Sequence, residues 1–242
     1  MSRPLSLISL FCAFVLFLAT PSQRAFAQGF FLTPIPNSPF SGVVNIERTM
    51  VRNDGSVIQV KSIQNVARDS LGRVHNEMRT FVPILSSETP QLLRIHLYDP
   101  HTRISTNIDV PKRTFWTTTL NHPPATEPPS IRFAAPDGNA PANDFTQQED
   151  LGIRDFEGVA AHGMRQTQIV AVSGGKEVQL VDEYWYSQDL RVNLMVKHVD
   201  PRKGTITMTV TQISRTEPDP TAFDVPEGYT QPGPHPAAQK AN

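Results

Sequence analysis

Thr205-Ile206-Thr207-Met208-Thr209-Val210-Thr211 alternates polar and apolar residues without a break. Successive side chains of a strand point to opposite faces, so this period of two marks a strand with one dry face and one wet face. That division is the habit of antiparallel sheets. The stretch follows Asp200-Pro201-Arg202-Lys203-Gly204. In such a segment Asp bonds its own backbone, Pro pre-sets φ for the next position and Gly supplies a left-handed residue, which together make a hairpin turn. On the other side of that turn Leu190, Val192, Leu194 and Val196 alternate with Arg191, Asn193 and Lys197.

The same grammar recurs upstream. Ile58, Val60 and Val66 share a parity against Gln59, Lys61 and Asn65. Leu93, Ile95 and Leu97 alternate with Arg94 and His96, and Ile104, Ile108 and Val110 with Ser105, Asn107 and Asp109. Turn chemistry falls between the runs. Asn53-Asp54-Gly55-Ser56 separates strands predicted over Val43–Val51 and Val57–Arg68, and Asp69-Ser70-Leu71-Gly72 leads into Arg73–Phe81. Asp99-Pro100-His101-Thr102-Arg103 resembles the 200–204 turn, which either duplication or shared turn chemistry explains. Helical signal is confined to a short turn near Ser86–Leu93. The expectation is a mainly β domain with little helix.

The chain opens with Arg3 and an apolar run from Leu5 to Ala19, then Ala25-Phe26-Ala27, with small residues at the two positions a signal peptidase reads. The run falls short of the roughly 20 residues that span a bilayer. Residues 1–27 are therefore read as a signal peptide cut before Gln28, which implies a periplasmic or secreted protein with no transmembrane anchor after cleavage. Residues 28–39, with three prolines, form an extended lead-in. Residues 40–230 are the β-domain, interrupted over 121–147 by a Pro-rich insertion that cannot donate to a sheet. Residues 231–242 are a disordered tail.

Cleavage removes Cys12, so no disulfide remains and the core alone must hold the 215 residues. A chain of that length can bury about 70% of its unfolded surface. Loss of Arg3 and Arg24 takes Lys+Arg from 22 to 20 against 23 Asp+Glu, a net charge of −3. That balance gives no electrostatic case for nucleic acid or an anionic membrane as partner.

No motif for chemistry stands out. The seven histidines show neither His-x3-His spacing nor a Glu-flanked zinc pattern, so no metal site is predicted. There is no Gly-x-Ser-x-Gly elbow and no Ser-x-x-Lys. Ser173-Gly174-Gly175 lacks the Lys-Ser/Thr of a phosphate loop and reads as a hairpin turn. Glu149-Asp150 and Asp182-Glu183 are adjacent on strands and point to opposite faces. No catalytic residue and no cofactor is expected. The aromatics Tyr184-Trp185-Tyr186 and Phe115-Trp116 serve either a core or a binding face.

The closing segments carry a family resemblance. Glu183-Tyr184-Trp185-Tyr186-Ser187, the strand to Lys197, the 200–204 turn, the strand Ile206–Ile213, Glu217-Pro218-Asp219-Pro220 and Phe223-Asp224-Val225-Pro226-Glu227-Gly228-Tyr229 follow one another. This is similar to the end of the lipoprotein-localisation-factor superfamily of exported bacterial β-proteins. The likeness covers residues 150–229, with a looser match over 40–118. It implies a single curved antiparallel sheet, an incomplete barrel, whose apolar concave face receives acyl chains or a partner. The carriers of that superfamily begin with a helix and plug the concavity with helices. Here the lead-in is Pro-rich, which leaves the Pro-rich loop as the candidate cover.

An apolar sheet face without a second layer is a binding surface, because monomers rarely leave such a patch bare. The expected dry face, and with it the candidate ligand contacts, comprises Ile104, Ile108, Val192, Leu194, Val196, Ile206, Met208 and Val210. The expected function is non-enzymatic binding of a hydrophobic ligand, a lipid or a lipidated protein. The alternative is a module that docks or senses an envelope protein.

Overall fold

A computed structural model describes residues 30, 32–121, 146–172 and 174–232. The predicted signal peptide lies outside the described residues, as do most of the 121–147 insertion and of the 231–242 tail.

Twelve strands follow in chain order: β1 (Phe40–Val51), β2 (Val57–Arg68), β3 (Val74–Arg79), β4 (Val82–Pro83), β5 (Leu92–Asp99), β6 (Ile104–Asp109), β7 (Thr114–Thr119), β8 (Thr146–Phe156), β9 (Val159–Val172), β10 (Lys176–Ser187), β11 (Val192–Asp200) and β12 (Gly204–Ser214). They make one antiparallel sheet in the order β7-β6-β5-β3-β2-β1-β12-β11-β10-β9-β8, with the two-residue β4 paired to β2 outside that path. The sheet is open, since β7 and β8 end it on opposite sides and do not pair. From the centre the chain walks outward to β7, resumes at the far edge in β8 and walks back. The pairing of β1 with β12 joins the two halves into one sheet.

The turns are built as their residues require. Asp54 Oδ1 accepts the Ser56 N–H at 2.9 Å, and Asp200 Oδ1 accepts that of Arg202 at 2.9 Å. Gly204 sits at φ +114°, where a Cβ would collide with the Thr49 carbonyl oxygen, so only glycine fits between β11 and β12. No helix forms over Ser86–Leu93. Ser86 Oγ does accept the Glu88 N–H, but Pro90 has no N–H to give and disfavours a helical Thr89, and β5 begins at Leu92. Among the described residues the sole helical element is a 3-10 turn at Pro220–Phe223, capped by Asp219. Asp219 followed by Pro220 is its signal in the sequence.

Two apolar clusters hold the sheet. The larger includes Phe40, Val44, Ile46, Val66, Val74, Tyr98, Trp185, Leu194 and Val210, with Phe30 and Leu32 of the lead-in packed among them. The smaller, Ile95, Leu97 and Ile108, gathers Phe115, Val225 and Tyr229. The lead-in is tied down by Arg68, which is fully buried. Its guanidinium donates to the carbonyls of Ser38, Thr33 and Leu190 at 2.7, 3.0 and 2.6 Å, and to Ser38 Oγ at 3.0 Å. After β12 a strap crosses β3. Glu217 accepts from Ser70, the His75 Nδ1–H donates to the Ala222 carbonyl at 2.6 Å, and Arg73 stacks on the Phe223 ring.

Candidate functional site

Directly opposed residues in an antiparallel ladder share a face, so the register identifies what each face presents. One row across the sheet reads Met164 (β9), Tyr184 (β10), Val196 (β11), Met208 (β12), Ile46 (β1) and Ser62 (β2). The next row on the same face reads Gln166, Asp182, His198, Ile206, Arg48 and Val60. Tyr184 and Ile46 are buried, whereas Met164, Val196, Met208, Ile206 and Val60 are half-buried. From β1 to β9 the pair of rows spans about 19 Å at the usual strand spacing. The result is an apolar strip, open to one side, with a polar margin.

The opposite face of these strands carries a charged row. Lys61, Glu47, Thr207, Lys197, Glu183, Arg165 and Glu149 stand in one register row, alternating in sign apart from the threonine. Arg165 bridges Glu149 and Glu183 at 2.7 and 3.2 Å, and Trp185 donates its indole N–H to Glu183 at 2.8 Å. Cross-strand pairs of this kind stabilise the sheet and favour water over an apolar ligand.

On the apolar side the margin carries an ion pair. His198 Nδ1 lies 2.6 Å from Asp182 Oδ1, and that bond raises the imidazole above the ordinary histidine range against the cost of its burial. The residues across from His198 are Asp182 and Ile206. A second pair, His162 with Asp150 at 2.7 Å, sits at the β8 edge. Among the described residues no group of three or more His, Cys, Asp and Glu is arranged to hold a metal ion.

The eight residues expected on one dry face do not share it. Ile108 opposes Ile95, which opposes Glu77, and Glu77 neighbours Asn76, the partner of Val66. That parity puts Ile104 and Ile108 on the face opposite Val210, Met208 and Ile206. Ile108 is sealed in the smaller cluster, and Ile104 is 37% exposed in a cavity of about 210 Å³ beside Arg73 and Phe223. Val192, Leu194 and Val210 are buried in the main core. The simple alternation from Val192 to Val196 is broken by a bulge, since Trp185 opposes Met195 while Tyr186 opposes Asn193, leaving Leu194 as the extra residue. Only Val196, Ile206 and Met208 line the open strip. Met164, Tyr184 and Ile46 were not foreseen there, because cross-strand register cannot be read from alternation within one strand.

No family model matches the chain, and none of the curated proteins does. Solved structures do. MucB aligns over 80% of this chain at 10% identity and a TM-score of 0.39, and the chain spans 59% of its length. A LolA superfamily protein from Nitrosomonas europaea aligns over 79% of this chain and 92% of its own, at 10% identity and a TM-score of 0.29. LprF from Mycobacterium bovis aligns over 76% and 90%, at 13% identity and a TM-score of 0.30. The group that the closing strands resemble in sequence is thus among the structures this chain is similar to. Function has to be sought in the residue rows themselves.

Proposed function

We propose that this chain is an exported, non-enzymatic β-domain that binds a hydrophobic ligand, a lipid or a lipidated protein, on the face bearing Met164, Val196, Ile206 and Met208. One observation carries the reading: the half-open apolar strip that crosses five strands of a single sheet, with a charged cross-strand row on its other face. Apolar surface in such a strip gains roughly 25 cal/mol per Å² when covered, and a ligand's hydrocarbon supplies that cover. Val192, Leu194 and Val210 belong to the packed core beside the strip, and Ile104 and Ile108 play no part in it. Export rests on residues 1–27, and with it a periplasmic or secreted location.

The test is organic extraction of purified protein followed by mass spectrometry, repeated on Val196→Asp with Met208→Asp. Lipid recovered from the parent and lost from a folded double variant supports the reading. A parent that yields no lipid and takes up no acyl probe overturns it. The rival reading, an envelope protein-interaction module, is favoured by a different place. Val57, Phe81 and Leu85 are 59%, 44% and 95% exposed around β4, beside an open groove lined by Val57, Gln59, Pro83, Ile84 and Leu85. Crosslinking to a protein at that groove, without lipid, would favour the rival.

A further inference from the structure

Arg48 is a cation set among apolar side chains. It lies in β1 on the face of the strip, half-buried, opposite Ile206 on one side and Val60 on the other. Along its own strand the same face carries Ile46 and Met50. The diagonal neighbours across the two ladders are Gly204 and Met208 in β12, Ile58 and Ser62 in β2. None of these eight residues is charged. Among the described residues the Arg48 side chain makes no hydrogen bond and no ion pair. The nearest acids on this face are already engaged: Asp182 with His198 at 2.6 Å, and Asp200 with Arg202 at 2.8 Å. Glu47, its chain neighbour, points to the other face.

A guanidinium half out of water without a counter-ion is poorly satisfied, and it has the fork geometry that suits a carboxylate. The strip of Met208, Val196, Tyr184 and Met164 leads away from it across the strands. Resting on the lipid-binding reading above, we propose that the ligand is a long-chain monocarboxylate, its head paired with Arg48 and its tail laid over Met208 and Val196 toward Met164. Charge decides the head group. One unpaired cation balances a monoanion, whereas a phosphate monoester would bring a second charge into apolar surroundings with nothing to meet it. A simple snorkelling arginine, which covers apolar surface with its stem and gives its head to water, is the competing account of the same residue.

The experiment is calorimetric titration of the purified chain and of Arg48→Met with laurate, dodecanol and dodecyl phosphate, with thermal melts of both proteins. The expected result is that the parent binds laurate at least tenfold tighter than dodecanol. Arg48→Met brings laurate affinity down to that of dodecanol and melts no lower than the parent. Laurate and dodecanol bound equally by both proteins would overturn the carboxylate assignment and leave the lipid-binding reading standing. Tighter binding of the phosphate than of laurate would overturn it as well. A variant that melts lower yet keeps full laurate preference identifies Arg48 as a snorkelling residue and overturns the proposal. No binding of any of the three by the parent would take the lipid-binding reading down with it.

Discussion

The buried guanidinium of Arg68 donates to the carbonyl of Leu190 at 2.6 Å, across a sequence separation of 122 residues. With its bonds to Thr33 and Ser38 it fastens the lead-in, β2 and the turn before β11 to one another. Burial, with Arg191 adding repulsion, lowers its pKa to about 10, still high enough to keep it charged at neutral pH. Its positive charge is met by carbonyl dipoles and a hydroxyl, with no carboxylate among its hydrogen-bond partners.

Replacing Arg68 by Met should therefore cost about 3–5 kcal/mol, because three carbonyls, two of them buried, lose their donor at once. Arg68→Lys, which reaches fewer of them, should recover only part of that. Urea denaturation measures both. A loss below about 1 kcal/mol for Arg68→Met would mean that water or neighbouring groups can replace the latch.

His198 should titrate above the ordinary histidine range, since its bond to Asp182 and the charge of Asp200 outweigh burial and the repulsion of Lys203. A raised folded-state pKa means that the pair contributes stability that is fully present below the unfolded histidine pKa and is lost as pH rises through the folded one. Asp182→Asn should lower the imidazole pKa and flatten this dependence. Two-dimensional NMR of the ring protons across the titration reads it directly, and an unmoved His198 in the variant would refute the pairing.

Glu77 works in the opposite direction. Burial pushes its carboxyl up, but the nearby His75 ring, the Arg79 guanidinium and the bond from the Asn65 N–H prevail and hold it at about 2. The contribution is present above the unfolded glutamate pKa and is lost as pH falls toward the folded value. Glu77→Gln should reduce stability at neutral pH by roughly 1–2 kcal/mol, less than the full linkage value because water reaches part of the group. It should also narrow the difference between pH 7 and pH 3. Denaturant midpoints at the two pH values would show it, and parallel losses at both would contradict it.

Two glycines with positive φ separate steric need from backbone preference. Gly204→Ala brings a methyl against the Thr49 carbonyl and should cost roughly 2–4 kcal/mol. Gly55→Ala, at φ +81° with nothing within 4 Å of the new Cβ, should cost only about 1–2 kcal/mol. Equal losses in thermal melts would show that the β11–β12 turn can relax around the methyl.

Much of the sheet was legible because period-two alternation and turn chemistry are local signals. The predicted Val57–Arg68 coincides with β2, and the 200–204 turn carries the Asp-Pro and Gly roles assigned to it. What escaped were relations between distant segments. The Leu194 bulge interrupts an alternation that looks unbroken in sequence, and Ile104 and Ile108 reach the other face through a register spanning several strands. Arg68 ends a strand like many surface arginines, and nothing near it in sequence announces the lead-in and Leu190 carbonyls that surround it. The apolar strip was half visible for the same reason: Val196, Ile206 and Met208 belong to one hairpin, while Met164, Tyr184 and Arg48 arrive from other strands.

The two middle strands of the sheet come from the first and last strands of the domain. Asn45 in β1 donates to Thr211 in β12 at 2.7 Å, from 166 residues away. A polypeptide emerging from its amino end can zip up β1, β2 and β3 early, yet one edge of β1 stays unpaired until nearly everything else has been delivered. Contacts so remote in sequence slow folding, and a waiting edge invites intermolecular pairing. During its biogenesis this protein should therefore need shielding, as by a chaperone, until β12 arrives.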